Sequence, residues 1–255
     1  MSSESLPEIV EKVRLRTPAR LFVGRSGGGY RTSMQLELRA AHAAARDAVR
    51  SEFDMEQHLG SGLIQRFDIF EVSSAARSKD EYLLRPDLGR RLSDASRNTV
   101  LKSCPPNQDL QIVMGDGLST TAVAVQVPAL LPLLIQAGNE RGWTVGRPFA
   151  VHFCRVGILN DVGDLLHPRV AVLLIGERPG LATAESLSAY IGFRPRSGHT
   201  DADRNLISNI HGRGVPPEQA AARILKLAAS MVLKQISGTQ IREELPDGVV
   251  GQLRL

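Results

Sequence analysis

The stretch Val170-Ala-Val-Leu-Leu-Ile-Gly-Glu-Arg-Pro-Gly180 runs an apolar segment into a glycine and then presents a carboxylate and a guanidinium, Glu177 and Arg178. A carboxylate there accepts from ligand amides and an arginine donates to ligand oxygens, while an internal Arg–Glu pair is the competing reading of the same two residues. Two further places have this character. Gly115-Asp116-Gly117 follows the apolar Leu110-Gln-Ile-Val-Met114 and offers backbone N–H groups to an anion or amide oxygen, or else forms a tight turn with Asp116 as a local cap. Arg155-Val156-Gly157 ends a second apolar segment with a guanidinium and then a residue without a side chain. That pattern lets a flat ligand approach the backbone, or simply leaves a solvated charge. Each place falls where a buried strand should end, and open α/β sheets bind ligands beyond the carboxyl ends of their strands.

No catalytic constellation accompanies these sites. The six histidines, His42, His58, His152, His167, His199 and His211, form no His-Glu-x-x-His pattern, and no Gly-x-Ser-x-Gly elbow is present. The carboxylate pairs Asp161/Asp164 and Asp201/Asp203 read as helix caps and turns. Arg25-Ser-Gly-Gly-Gly-Tyr30 lacks the Lys and Ser/Thr of a phosphate-binding P-loop, so Gly27 to Gly29 read as a flexible turn. Cys104 and Cys154 stand fifty residues apart without ligand-spaced histidines, which supports neither a disulfide framework nor a metal site. The residues describe a binder better than a complete catalyst.

The elements that must position these residues follow from periodicity. Apolar residues at Met34, Leu38, Ala41, Ala45, Ala48 and Phe53 predict a helix capped at Thr32 or Ser33 and ending near Gly60. Ser78-Lys-Asp-Glu81 has capping-box spacing, and Pro86 with Asp87 begins a helical pattern reaching Lys102, so residues 30–103 read as all-helical. Cys104-Pro-Pro-Asn-Gln108 breaks the pattern. Beyond it the spacing predicts strands at 110–114, 149–156 and 170–175. Helices are expected from Ser119 towards Pro128, over 161–166 and 183–190, and from Pro216-Pro-Glu218 to a stop at Gly238. The expected fold is α/β, with an N-terminal helical unit followed by a Rossmann-like, mainly parallel open sheet covered by helices. The expected division is a flexible arm over 1–16, a mainly helical unit over 17–103 and an α/β domain over 104–255.

Bulk properties limit the function classes. A chain of 255 residues, 42% apolar, builds a real core, and it contains no uninterrupted apolar run of membrane-spanning length. A net charge of +4 and a pI near 9.4 admit nucleic acid as a ligand. However, residues 1–103 carry 17 basic and 14 acidic side chains and 104–255 carry 14 and 13, an even spread with only 4% aromatics. That argues against a basic nucleic-acid face. The reading is therefore no nucleic acid, no membrane and an intracellular protein.

Three longer motifs are familiar. Glu81-Tyr-Leu-Leu-Arg-Pro-Asp-Leu-Gly-Arg-Arg-Leu-Ser93, Gly176-Glu-Arg-Pro-Gly-Leu-Ala-Thr-Ala-Glu-Ser-Leu-Ser-Ala-Tyr190 and Ser208-Asn-Ile-His211 resemble the small (light) subunit of ethanolamine ammonia-lyase, over roughly 17–238. The resemblance implies an adenosylcobalamin-dependent carbon–nitrogen lyase that converts ethanolamine to acetaldehyde and ammonia by radical chemistry. It implies an obligate large subunit, a TIM barrel that holds ethanolamine and the catalytic residues, with the small subunit helping to enclose the cobalamin. Carried over residue by residue, the family's cobalamin contacts fall on Val156, Glu177 and Leu206, with no catalytic and no metal-ligating residue on this chain. Cys154 stands where family members often have Gly, and Leu206 where some have Cys. The implied location is the cytoplasm, with enclosure in a bacterial microcompartment left open. The rival from another class is a non-catalytic nucleotide-binding regulatory α/β module.

Overall fold

The computed structural model describes residues 8–15, 21, 23–180 and 183–243. Its elements in chain order begin with α1 (Glu8–Leu15), the short antiparallel hairpin β1 (Arg25–Ser26) and β2 (Gly29–Tyr30), α2 (Thr32–Arg50), α3 (Met55–Leu59), α4 (Ser61–Phe67), β3 (Phe70–Ser73), α5 (Lys79–Leu84) and α6 (Asp94–Ser103). They continue with β4 (Leu110–Gly115), α7 (Thr120–Glu140), β5 (Phe149–His152), α8 (Ile158–Leu166), β6 (Val170–Gly176), β7 (Leu187–Phe193), β8 (Asn205–Ile210) and α9 (Pro217–Lys234). Of the arm expected over 1–16, residues 1–7 and 16 lie outside the described residues, and residues 8–15 are the helix α1; of the unit expected from 17, residues 17–20 and 22 also lie outside them.

One six-stranded sheet, ordered β3-β5-β4-β6-β7-β8, organises the core. β3, β5, β4 and β6 are parallel, but β7 runs antiparallel to β6, and β8 antiparallel to β7. The sheet is therefore mixed, which corrects the Rossmann-like, mainly parallel expectation. β6 explains why its sequence is an unbroken apolar run: Val170, Val172 and Leu174 enter the core shared with α7 and α9, and Ala171, Leu173 and Ile175 enter the core shared with α6 and α8. All seven residues of this strand are buried, so neither face tolerates a polar residue until Glu177.

Several boundaries differ from the sequence reading for local reasons. Residues 30–103 are not all-helical, because β3 lies within them and pairs with β5. The helix expected to reach Gly60 stops at Arg50 and is entered at Arg31 without a side-chain cap; Asp54 then caps the separate α3. The pattern from Pro86 to Lys102 divides into a 3-10 turn over Leu88–Arg90 and α6, which has its own cap at Ser93. Strand β5 stops at His152 because Phe153 turns left-handed at φ 56°, short of Val156. Residues 183–190 contain no helix. Leu187, Ala189 and Ile191 alternate into one core while Ser188 and Tyr190 face the other way, a period of two that makes this segment strand β7. Helix α9 ends at Gln235 in left-handed conformation, before Gly238.

Helix α7 runs through Pro128 and Pro132 rather than stopping at the first. An interior proline costs about 3 kcal/mol, but Leu130, Leu131 and Leu134 beyond it are completely buried, each worth roughly 1.5–3 kcal/mol. By length and composition α7 could also cross a membrane, yet here it fills the core between the sheet and α9.

Candidate functional site

The three loops nominated by sequence meet at the carboxyl ends of β4, β5 and β6. A cleft of about 410 Å³ is lined by Gly117 and Leu118 after β4, by Arg155 and Val156 after β5, and by Glu177 and Arg178 after β6. Tyr82 from α5 and Tyr190 from β7 complete it. The loops approach closely because glycine permits it. A Cβ on Gly117, at φ 56°, would lie 2.3 Å from the Gly176 carbonyl oxygen, and a Cβ on Gly176 would lie 2.0 Å from that of Ser119.

Asp116 is buried and does not cradle an anion. Its carboxylate accepts from the N–H groups of Phe153 at 2.9 Å and Cys154 at 2.8 Å, so it fixes the left-handed turn that follows β5. The neighbouring N–H groups are also engaged inside the chain, Asp116 N to Val151 O and Leu118 N to Gly176 O. These bonds replace the anion cradle the glycines suggested. Lys79 Nζ lies 3.8 Å from the Asp116 carboxylate and donates to Gly117 O at 3.4 Å. Burial lowers the Lys79 ammonium below its ordinary value and raises the Asp116 carboxyl, in each case outweighing the attraction of the partner.

Tyr82 is wholly buried, and two cations lie over its ring, Lys79 Nζ at 5.1 Å and Arg155 Cζ at 4.2 Å from the centroid. Its hydroxyl donates to Cys154 O at 3.0 Å, and burial pushes its pKa well above the ordinary phenol value. Arg155 is thus not a free strand-end charge. Gly157 likewise makes room for a side chain, since its missing Cβ would lie 2.8 Å from Cγ of Arg90.

Glu177 is held by hydroxyls. Ser186 Oγ donates to one carboxylate oxygen at 2.6 Å, Ser188 Oγ donates to the other, and Asn209 N approaches that second oxygen at 3.5 Å. Among the described residues Arg178 has no ion pair, so the structural Arg–Glu pair considered for these two residues is absent. Two carboxylate oxygens offer about four acceptor positions, which leaves capacity for an external N–H. Leu206 stands on β8, paired in register with Tyr190, and is 47% exposed. Val156 and Glu177 therefore share the cleft, while Leu206 lies one strand beyond its Tyr190 wall. The serines were missed in the sequence, although Ser186-Leu-Ser188 carried the signal of two hydroxyls on one side of an alternating segment.

No group of three or more His, Cys, Asp or Glu residues suited to a metal occurs among the described residues. Both cysteines are free and buried. The chemistry on offer is recognition: an acceptor, an apolar wall, and cations already partly engaged.

Comparison with known proteins agrees. The family model of the ethanolamine ammonia-lyase light chain (EutC) matches residues 7–242. The ethanolamine ammonia-lyase small subunit of Fusobacterium nucleatum subsp. nucleatum is 39% identical over 253 residues, covering 95% of this chain and 84% of that protein. The small subunit from Clostridium perfringens is 40% identical over 231 residues, 91% of this chain and 76% of its own length. That of Clostridium acetobutylicum is 35% identical over 235 residues, 92% and 95% respectively. Matches that span nearly every described element, from α1 to α9, place this chain in the ethanolamine ammonia-lyase small-subunit family, as a subunit of a lyase.

Proposed function

We propose that this chain is the small subunit of an adenosylcobalamin-dependent ethanolamine ammonia-lyase, and that the cleft at the ends of β4, β5 and β6 is one wall of the cofactor site, completed by a large subunit. The observation that carries the reading is the Glu177 carboxylate, clamped by Ser186 and Ser188 at the rim of a cleft shared with Val156. Cobalamin is a broad apolar macrocycle fringed with amides. An anchored acceptor beside an apolar wall fits that chemistry, and the missing catalytic constellation fits a chain that positions and encloses. When bound, the cofactor supplies the radical chemistry that converts ethanolamine to acetaldehyde and ammonia.

This chain's residues have narrower tasks. Glu177 accepts from amide N–H groups at the macrocycle's edge, with its orientation set by the two serines. Val156 excludes water from one side of the cleft, and Leu206 beside Tyr190 extends the apolar surface. Ethanolamine and the catalytic groups belong to the large subunit, and the pair works in the cytoplasm as an obligate hetero-oligomer.

The test is coexpression with the large-subunit candidate, followed by anaerobic assay with adenosylcobalamin and ethanolamine. Glu177→Ala should weaken cofactor binding about tenfold or more, with acetaldehyde formation recovered at high cofactor. Failure to form a stable complex refutes the assignment, and unchanged cofactor affinity refutes the role given to Glu177.

A further inference from the structure

A second cleft, of about 570 Å³, lies beside the one that contains Glu177. It adjoins that cleft through Arg155 and Val156, which line both, and it is walled by Arg90, Arg91, Arg155 and Arg204. Its carboxylates are already committed. Asp201 accepts from Arg204 at 2.6 Å, and Asp161 accepts from Arg97 and from Leu92 N. Among the described residues no carboxylate pairs with Arg90, Arg91 or Arg155.

Two buried donors in this wall lack acceptors. The Nε–H of Arg155 and the Nε–H of Arg204 are both shielded and have no hydrogen-bond partner. Arg204 is a built feature, since its side chain is 3% exposed, with one terminal nitrogen on Asp201 and the other on Asn160 at 2.6 Å. Buried donors without partners are rare, and a cluster of arginines around two of them asks for an anion. The fold also makes room for this wall. A Cβ on Gly89 would lie 2.7 Å from Cγ of Arg155, and one on Gly157 would crowd the stem of Arg90. Gly89 and both arginines of the Gly89-Arg90-Arg91 segment belong to a long motif whose purpose the cofactor wall alone does not explain.

We propose that the Arg90–Arg91–Arg155–Arg204 cleft is a phosphate-ester site, and that it receives the phosphodiester of the cobalamin tail while the macrocycle lies against Val156 and Glu177. This rests on the cofactor reading above, and the clefts' shared boundary supplies the continuity between macrocycle and tail. Singly charged phosphodiesters are held by arginine forks through charge-assisted hydrogen bonds.

The test compares two corrinoids on the copurified large–small complex: hydroxocobalamin, and cobinamide, which lacks the nucleotide tail and its phosphodiester. Arg90 and Arg91 are exposed, so Arg90→Gln/Arg91→Gln should fold normally; circular dichroism and complex formation verify this. The double variant should lose about tenfold or more in hydroxocobalamin affinity with cobinamide affinity unchanged. Raising salt should narrow the wild-type difference between the two corrinoids. Arg155→Met in the same assay provides a second probe from inside the wall. Equal loss for both corrinoids, or no loss for either, overturns the proposal. If the wild-type complex binds neither corrinoid, the cofactor reading fails. Titration of the full chain with inorganic phosphate then decides the cleft by itself: phosphate bound by the wild type and lost in the double variant retains a site for another phosphate ester, and no phosphate binding removes it.

Discussion

Replacing Asp116 by Ala tests whether the cleft is organised by a hydrogen-bonded turn or by an ion pair. The carboxylate is 2% exposed and accepts two backbone N–H groups, at 2.9 and 2.8 Å, from a turn whose first residue is left-handed. Each orphaned buried donor costs roughly 1–3 kcal/mol. Lys79 would also become a buried cation without its counter-charge, but these losses share one site and do not add fully. The expected destabilisation is about 3–5 kcal/mol, a large part of the ~5–15 kcal/mol that a domain commands. Lys79→Met should cost less than Asp116→Ala, because it leaves both N–H bonds intact and removes an ammonium that burial already disfavours, its remaining cost being the buried Asp116 carboxylate left without its counter-charge. Urea denaturation of wild type, both single variants and the double variant gives the cycle. If Asp116→Ala costs under about 1 kcal/mol, or if its cost vanishes in the Lys79→Met background, the turn is not what Asp116 holds.

Further consequences follow from close approach, burial and titration. Gly176→Ala places a Cβ 2.0 Å from a backbone oxygen that cannot rotate away, so it should cost about 3 kcal/mol or more in urea denaturation, or prevent soluble expression. His211 is held neutral: its Nδ1 accepts from Arg213 N at 3.2 Å while its other nitrogen faces Asn209 Oδ1, and burial followed by Arg213 lowers its pKa. His199 is lowered likewise, chiefly by burial. The unfolded chain therefore binds more protons, and stability should fall as pH drops below about 6.5; His211→Gln should flatten that slope in thermal melts between pH 5 and 7. Burial pushes the Cys104 thiol up to about 11 and Cys154 above its ordinary value, so neither should react with a thiol reagent at pH 8 until the chain is unfolded.

The parts of this site that sequence reading found are those where one strand decides the outcome. β6 is apolar throughout and β4 is apolar but for Gln111, and the charged residue that follows each, Asp116 or Glu177, is placed by the strand itself. What sequence could not give is the partner across the chain. Asp116 reads as a local cap but serves residues 153 and 154, and Tyr82 reads as a helix residue but anchors the Cys154 carbonyl. Likewise, Gly157 reads as a ligand approach but makes space for Arg90. Strand β8 was missed for a different reason. A register shift between Leu187 and Ala189 puts Ile207 and Ile210 in the core three residues apart, which hides the alternation that would have announced a strand. β7 had the alternation, but Ala184, Glu185 and Leu187 are good helix formers, and tertiary pairing on both sides overrode that preference.

The same cross-chain bonds decide how the wall behaves when a ligand arrives. Asp116 keys the end of β4 to the turn after β5, Leu118 N and Gly176 O key β4 to β6, and Glu177 keys β6 to Ser188 on β7 and to Asn209 on β8. Five consecutive strands of the sheet are thereby fixed relative to one another at the edge that faces the cleft. A surface assembled this way loses little freedom on binding, which preserves the affinity of the few polar contacts it makes. Beyond α8, which packs over β6, the sheet face at β7 and β8 carries half-buried Tyr190 and exposed Leu206. A rigid wall that ends in uncovered apolar residues is complete only against something else, and under the function proposed above that something is the large subunit. On this reading Glu177 acts less as a reactive group than as a joint of the wall, whose remaining acceptor capacity is turned outward.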